Sequence, residues 1–194
     1  MANLRIEQGL APEFRDQAAH LYWQAFGPKL GRVMGPDDRA RSFISGALQA
    51  DHTLSAVEGG RLVGLCGFKT ARGAFVGANA AAMRSAYGRF GATWRRYALG
   101  LLVQDTDNQR FLIDGLCVVP DRRGQGIGTA LINAICAEAV TRRYSAIRLD
   151  VVDKNEGARR LYERNGFAAI HRHPAGATAA LFGFDSTVTM VRQL

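Results

Sequence analysis

Between Asp114 and Val140 the chain reads DGLCVVPDRRGQGIGTALINAICAEAV, and this stretch holds most of the residues whose types and spacing suggest chemistry. Two arginines, Arg122 and Arg123, lead into Gly124, Gln125, Gly126, Ile127, Gly128 and Thr129, and an apolar-periodic segment follows. A helix that starts in such a turn exposes unpaired main-chain N–H groups and the positive end of its dipole. Glycines let that backbone come close to a ligand, so the turn suits an anion, best of all a phosphate. Arg122 and Arg123 add mobile positive charge beside it. The turn is not a P-loop, because the lysine and the following Ser or Thr are missing, nor a GxGxxG fingerprint, because Leu131 stands where the third glycine belongs. What fits is R-x-x-G-x-G, as Arg123, Gly126 and Gly128, with Pro120 ahead.

Asp114 sits inside the apolar run FLIDGLCVV, Phe111 to Val119. An unpaired carboxylate in a buried strand is costly, so such a residue is either paired or functional. Two positions from both Leu112 and Leu116, it is expected to share their face. Asp150, in RLDVVD, either does similar work or simply pairs with Arg148 or caps a loop. Cys117 invites a nucleophile reading, but no histidine lies near it in sequence. His171 and His173 form an isolated HxH without further ligand spacing, so no metal site is expected.

These residues need elements to hold them. Phe111 to Val119 reads as a buried strand and Gly124 to Val140 as a helix with Ile127, Leu131, Ile135 and Ala139 on one face. Ser145 to Val152 alternates as a strand, and Asn155 to Arg164 is a short helix closed by Asn165-Gly166. Phe167 to Ile170 and Ser186 to Val191 read as closing strands. Upstream come a short strand at Leu4 to Glu7, helices over Ala11 to Phe26 and Pro36 to Ala50, and a hairpin, Thr53 to Val57 and Leu62 to Phe68, around EGGR. Residues 71–102 are alanine-rich with scattered glycines and predict one or two helices broken at Gly88 and Gly91. Phe90, Trp94 and Tyr97, three to four residues apart, are expected to be a packing stripe, with a substrate wall as the alternative.

A chain of 194 residues supports one domain with a real core and is short for two. With 47% hydrophobic and 22% charged residues it is ordinary globular material. No apolar run is long enough to span a bilayer, and the N-terminus lacks the apolar core of a secretory signal. Three cysteines without pair spacing point to a reducing, cytoplasmic setting rather than a disulfide framework. The net charge of +8 favours anionic partners, but the arginines are dispersed and no basic run or recognition motif supports a nucleic-acid partner.

The glycine turn and a second block, LDVVDKNEGARRLYERNGF from Leu149 to Phe167, together resemble the GNAT superfamily of acyl-CoA-dependent N-acetyltransferases. The first matches that family's [QR]xxGx[GA] signature after a strand. The second matches its strand, asparagine, short helix with Leu-Tyr, and Asn-Gly-Phe. The resemblance is strong over residues 111–171, rests on element order alone over residues 1–70, and leaves 71–102 as a helical insertion. It implies a single-domain α/β fold over 1–194: a mixed, mostly antiparallel central sheet, splayed between its fourth and fifth strands and flanked by helices.

The resemblance also implies a function, transfer of an acetyl group from acetyl-CoA to a primary amine by direct attack. A non-catalytic acyl-CoA-sensing module on the same fold is the alternative. Residues Arg122 to Thr129 would cradle the coenzyme A pyrophosphate. Main-chain groups of Leu116, Cys117 and Val118 would pair with the pantetheine arm, and one of their N–H groups could polarise the thioester carbonyl. Tyr162 matches the tyrosine that protonates the departing thiolate in many members, and Asn155 the asparagine that hydrogen-bonds the pantetheine; as plain structure, Asn155 is also a good N-cap. Asp114 would take the amine's proton, with Asp150 or water as rivals. Relatives are often homodimers. The acceptor, a small molecule or a protein amine, has no recognisable code here, although Phe26, Lys29, Tyr87, Trp94, Arg95 and Arg96 would suit an apolar or acidic one.

Overall fold

The computed structural model describes residues 4–77, 79–100 and 109–194. The EGGR hairpin forms as expected, from β2 (Thr53–Glu58) and β3 (Arg61–Thr70). Gly59 and Gly60 both take positive φ, 57° and 75°, which a tight two-residue hairpin turn requires of its central pair. β1 (Arg5–Gln8) pairs antiparallel on the outer edge of β2, and a two-residue return strand, β4 (Gly73–Ala74), pairs with the end of β3. β5 (Phe111–Val118) lies on the other side of β3, followed in the sheet by β6 (Ala146–Val152), β8 (Ser186–Gln193) and β7 (Ala168–Pro174).

All neighbours are antiparallel except β5 and β6. That parallel pair is confined to Phe111 with Ile147 and Leu112 with Arg148. β6 stays bonded to β8 as far as Val152, so the sheet opens between β5 and β6 from Ile113 onward. This is the splay expected between the fourth and fifth strands; the short β4 makes them fifth and sixth in chain order.

Helices cover both faces. α1 (Arg15–Met34), α2 (Asp37–Ala47) and α3 (Ala80–Gly100) pack on one side, around Leu21, Phe43, Ile44, Leu62, Leu65 and Phe75. α4 (Ile127–Thr141) and α5 (Glu156–Arg164) pack on the other, around Phe68, Phe111, Leu131, Ile135, Ile147 and Met190. A one-turn α6 (Ala179–Phe182), which sequence periodicity did not predict, precedes β8 and sends Phe182 into the first core. Among the described residues no helix is long and apolar enough to cross a membrane.

Two expectations change. The first helix does not end near Phe26 but continues through Pro28 to Met34. Gly27 and Pro28 read locally as a stop, yet Val33 and Met34 are buried in the core, and that packing outweighs the local preference. In α3 the chain breaks at Gly88 (φ 69°, ψ 176°) but not at Gly91. The predicted packing stripe fails there: Phe90, Trp94 and Tyr97 are 93%, 45% and 80% exposed. After the break, Gly91, Ala92, Arg95, Ala98 and Leu99 form the inward face at helical spacing, which turns the aromatics outward. Arg95 stacks over Trp94 and Tyr87 and donates to the Gly35 carbonyl at 3.1 Å. The expected helical stretch ran on to Leu102; its last two residues lie outside the described ones.

Candidate active site

The glycine turn keeps its backbone open. Gly124 and Gly126 have positive φ, 76° and 83°, and a β-carbon added to either would meet nothing within 4 Å. Gly126 is the left-handed N-cap of α4, and the first turn of that helix carries no acidic side chain. Among the described residues the main-chain N–H groups of Gly124, Gln125, Gly126, Ile127, Gly128 and Thr129 find no protein acceptor. Six donors at the positive end of a helix dipole, next to solvent, form a cup of the kind that suits an anion. Gly128 has a second role. A β-carbon there would stand 3.0 Å from Leu161 Cδ2, so its absence lets the start of α4 close against α5.

The side chains around the cup are more anchored than the sequence suggested. Arg122 pairs with Glu58 at 3.1 Å, and Arg123 Nε donates to the Val118 carbonyl at 3.1 Å. Gln125 Nε2 donates to the Asp121 carbonyl, Thr129 Oγ1 accepts from Asn165, and Ile127 is buried in the α4 core. The arginines therefore brace the loop, and the main-chain N–H groups are the donors left open to a ligand.

The split begins beside Asp114. β3 pairs Gly67 with Gly115 and Phe68 with Ile113, which leaves Asp114 as the extra residue of a β-bulge. The bulge reverses the alternation of β5: Leu112 and Asp114 face the α1–α3 side, whereas Leu116 packs with the α4–α5 core. The expectation that Asp114 shares a face with both leucines is thus half right, because a one-residue bulge inverts the pleat. Gly115 follows, and a β-carbon there would collide with the Phe26 ring at 2.7 Å. Beyond the bulge, the β6-facing edge of Leu116, Cys117 and Val118 has no strand partner.

Asp114 opens into a cavity of about 520 Å³ beneath α1, α2 and α3. Burial raises its carboxyl above the ordinary value, and the Val76 amide, Lys69 and Lys29 only partly offset this. Asp150 lines the same cavity from β6, on the far side of the split. It is the more fully partnered acid, accepting from Thr189 Oγ1 and from Arg148 Nη2 at 3.3 Å. Tyr22 also lines the cavity; burial first, and then Asp114, push its phenol well above normal. Tyr22 and Lys69 were missed in the sequence. Their signals are a tyrosine in an amphipathic helix and a lysine ending a strand, and neither spacing marks a site. Of the residues thought suited to an acceptor pocket, Lys29 and Arg96 line it, Phe26 covers Gly115, and Tyr87 donates to the Met34 carbonyl instead.

Tyr162 lies on the opposite face, 7% exposed, with its ring edge-on to Phe167. Its hydroxyl has no hydrogen-bond partner among the described residues. Burial raises its pKa, as do the neighbouring Cys66 and Cys117, so at neutral pH it holds its proton. Cys117 is buried and its thiol is pushed up to about 12, which disfavours the thiolate a nucleophile needs. Asn155 caps α5, its side chain accepting from the Ala158 amide at 3.1 Å, and leaves its amide nitrogen free to donate. His171 and His173 stack on β7, and no metal-binding cluster exists among the described residues.

An anion cup at a helix start, a strand edge that no strand pairs and a cavity at the end of that edge are the parts an acyl-CoA-dependent N-acyltransferase needs. The Acetyltransferase (GNAT) family matches residues 15–167, and the chain belongs to that family, whose members use acetyl-CoA as co-substrate. No curated protein matches it in sequence. Among solved structures it is similar to an N-acetyltransferase from Staphylococcus aureus Mu50, with 16% identity and a TM-score of 0.69 over 96% of this chain and 99% of that one. It also resembles the ribosomal-protein-S18-alanine N-acetyltransferase from Escherichia coli, with 15% identity and a TM-score of 0.58 over 98% and 94%. A third likeness is a candidate streptothricin acetyltransferase from Bacillus anthracis str. Ames in complex with acetyl coenzyme A, with 15% identity and a TM-score of 0.51 over 73% and 61%. At these identities the likeness is one of fold.

Proposed function

We propose that the protein transfers an acetyl group from acetyl-CoA to a primary amine by direct attack. The observation that carries this reading is the line from the Gly124–Thr129 amides, along the edge of Leu116 to Val118 that no strand pairs, to Asp114 and its cavity. The diphosphate sits on the cup, the pantetheine arm adds to the open strand edge, and the thioester reaches the bulge. A free N–H on that edge polarises the carbonyl.

The acceptor comes from the cavity. Its nitrogen attacks the carbonyl carbon, the carbon–sulfur bond breaks, and the ammonium proton passes to Asp114, directly or through water. Tyr162, on the other face of the split, gives its proton to the thiolate and recovers one from solvent. The opposed environments support this division of labour. Burial raises both groups, but at Asp114 the Val76 amide, Lys69 and Lys29 partly offset it, whereas beside Tyr162 Cys66 and Cys117 add to it and keep the phenol neutral. Asn155, with its amide nitrogen free, supports the pantetheine. Three buried, unpaired cysteines are in keeping with a reducing cytoplasm. Release of free thiol from acetyl-CoA, measured across a panel of small amines and peptide N-termini, tests the reading. Saturable binding of acetyl-CoA without any acceptor-dependent thiol release would reduce it to a sensing module.

A further inference from the structure

The cavity walls are chiefly apolar, contributed by residues such as Trp23, Leu30, Met34, Phe43, Met83 and Leu99. Set into them are three cations, Lys29 from α1, Lys69 from β3 and Arg96 from α3. None of the three has a carboxylate within 4.0 Å among the described residues; Lys29 makes only a contact with the Phe184 ring, at 5.1 Å to its centroid. The two acids offset them only in part, acting on Lys29 and Lys69 across the cavity without a direct ion pair. Asp150 is held by Arg148 and Thr189, and Asp114 carries a raised pKa. An ordinary alkylamine reaches the cavity as a cation and meets like charge between apolar walls, which screen it less than bulk water does. Lys29 and Lys69 are half-buried against these walls, burial disfavours the charged form of Lys29, and a ligand that supplies a partner relieves that cost.

We infer that the acceptor is a small amphiphile bearing an anionic group, a carboxylate or phosphate, besides its amine. The inference rests on the reading of this cavity as the acceptor site. The amine stands at Asp114, the apolar body lies against Met34, Phe43 and Met83, and the anion is received by Lys29, Lys69 and Arg96. The enclosing helices favour a free small molecule over a segment of folded protein.

The test uses the full chain and matched probes: L-leucine against isoamylamine, and 6-aminohexanoate and 6-aminohexyl phosphate against hexylamine. Calorimetric binding is measured without acetyl-CoA, and acetylation with it. The expected result is at least about tenfold tighter binding of an anion-bearing probe than of its matched amine. Leucine and aminohexanoate against the phosphate probe distinguish the two anions. Lys69→Met, Lys29→Met and the more exposed Arg96→Gln should each shrink that preference. Equal binding of matched pairs, no binding of any anionic probe, or a preference untouched by all three variants would overturn the inference. A protein that binds anionic amines but not acetyl-CoA would instead sink the acetyltransfer reading and leave the charge reading intact.

Discussion

Gly115 of β5 lies directly beneath Phe26 of α1: a β-carbon on the glycine would sit 2.7 Å from Phe26 Cζ and 2.9 Å from its Cε2. The contact places α1 on the bulge that turns Asp114 into the cavity. Gly115→Ala must push the ring or the strand away. We expect a loss of about 1–3 kcal/mol in urea denaturation, typical of overpacking. The KM for the amine should rise with it, because Asp114 moves with the bulge. Unchanged stability and KM would show that the ring yields freely.

Asp114 links catalysis to stability in opposite senses. Its folded pKa is raised, so the folded state keeps the proton to higher pH than the unfolded chain does. Ionisation therefore costs stability, which falls as pH rises from the ordinary carboxylate value through the raised one. Asp114→Asn is expected to increase stability at neutral pH while lowering kcat about 100-fold or more. It should also remove the ascending limb of the rate-against-pH profile. A wild-type limb that survives in the variant would assign the proton to Asp150 or water.

Tyr162→Phe deletes a hydroxyl that has no hydrogen-bond partner among the described residues, so the fold and acetyl-CoA affinity should hold. The kcat should fall about 100-fold or more if the phenol protonates the thiolate. Thioesters with a more acidic leaving thiol should recover part of the loss. An unchanged kcat would leave Tyr162 as a core residue only.

Asn155→Ala separates two roles of one side chain. Losing the cap of α5 should cost about 1 kcal/mol, read by thermal or urea denaturation. A pantetheine contact would add a rise in the KM for acetyl-CoA, which the capping role alone does not demand.

Much of this architecture was legible because local signals and packing agree in it. The Gly59-Gly60 hairpin, the Asn165-Gly166 close of α5 and the apolar stripe of α4 each depend on neighbours in sequence. The glycine turn could be read for the same reason: its function lies in backbone conformations that glycine makes accessible. The cavity could not. Lys29, Lys69, Asp114 and Asp150 come from α1, β3, β5 and β6, and no spacing announces their meeting. The bulge at Asp114 has no signature beyond one acid beside one glycine, yet it reverses the strand's two faces. In α3 the aromatic spacing was real, but a single glycine kink decided which side it faced.

The central claim is that the amides between Gly124 and Thr129 hold the diphosphate of coenzyme A. Calorimetric titration of acetyl-CoA and of S-acetylpantetheine, which lacks the diphosphate, into wild-type protein and Gly126→Asp tests it most directly. Saturable acetyl-CoA binding and at least about tenfold weaker binding of the truncated thioester are expected. The aspartate should lower affinity for acetyl-CoA alone. Equal affinity for both thioesters, or a Gly126→Asp protein that binds acetyl-CoA as wild type does, would contradict it.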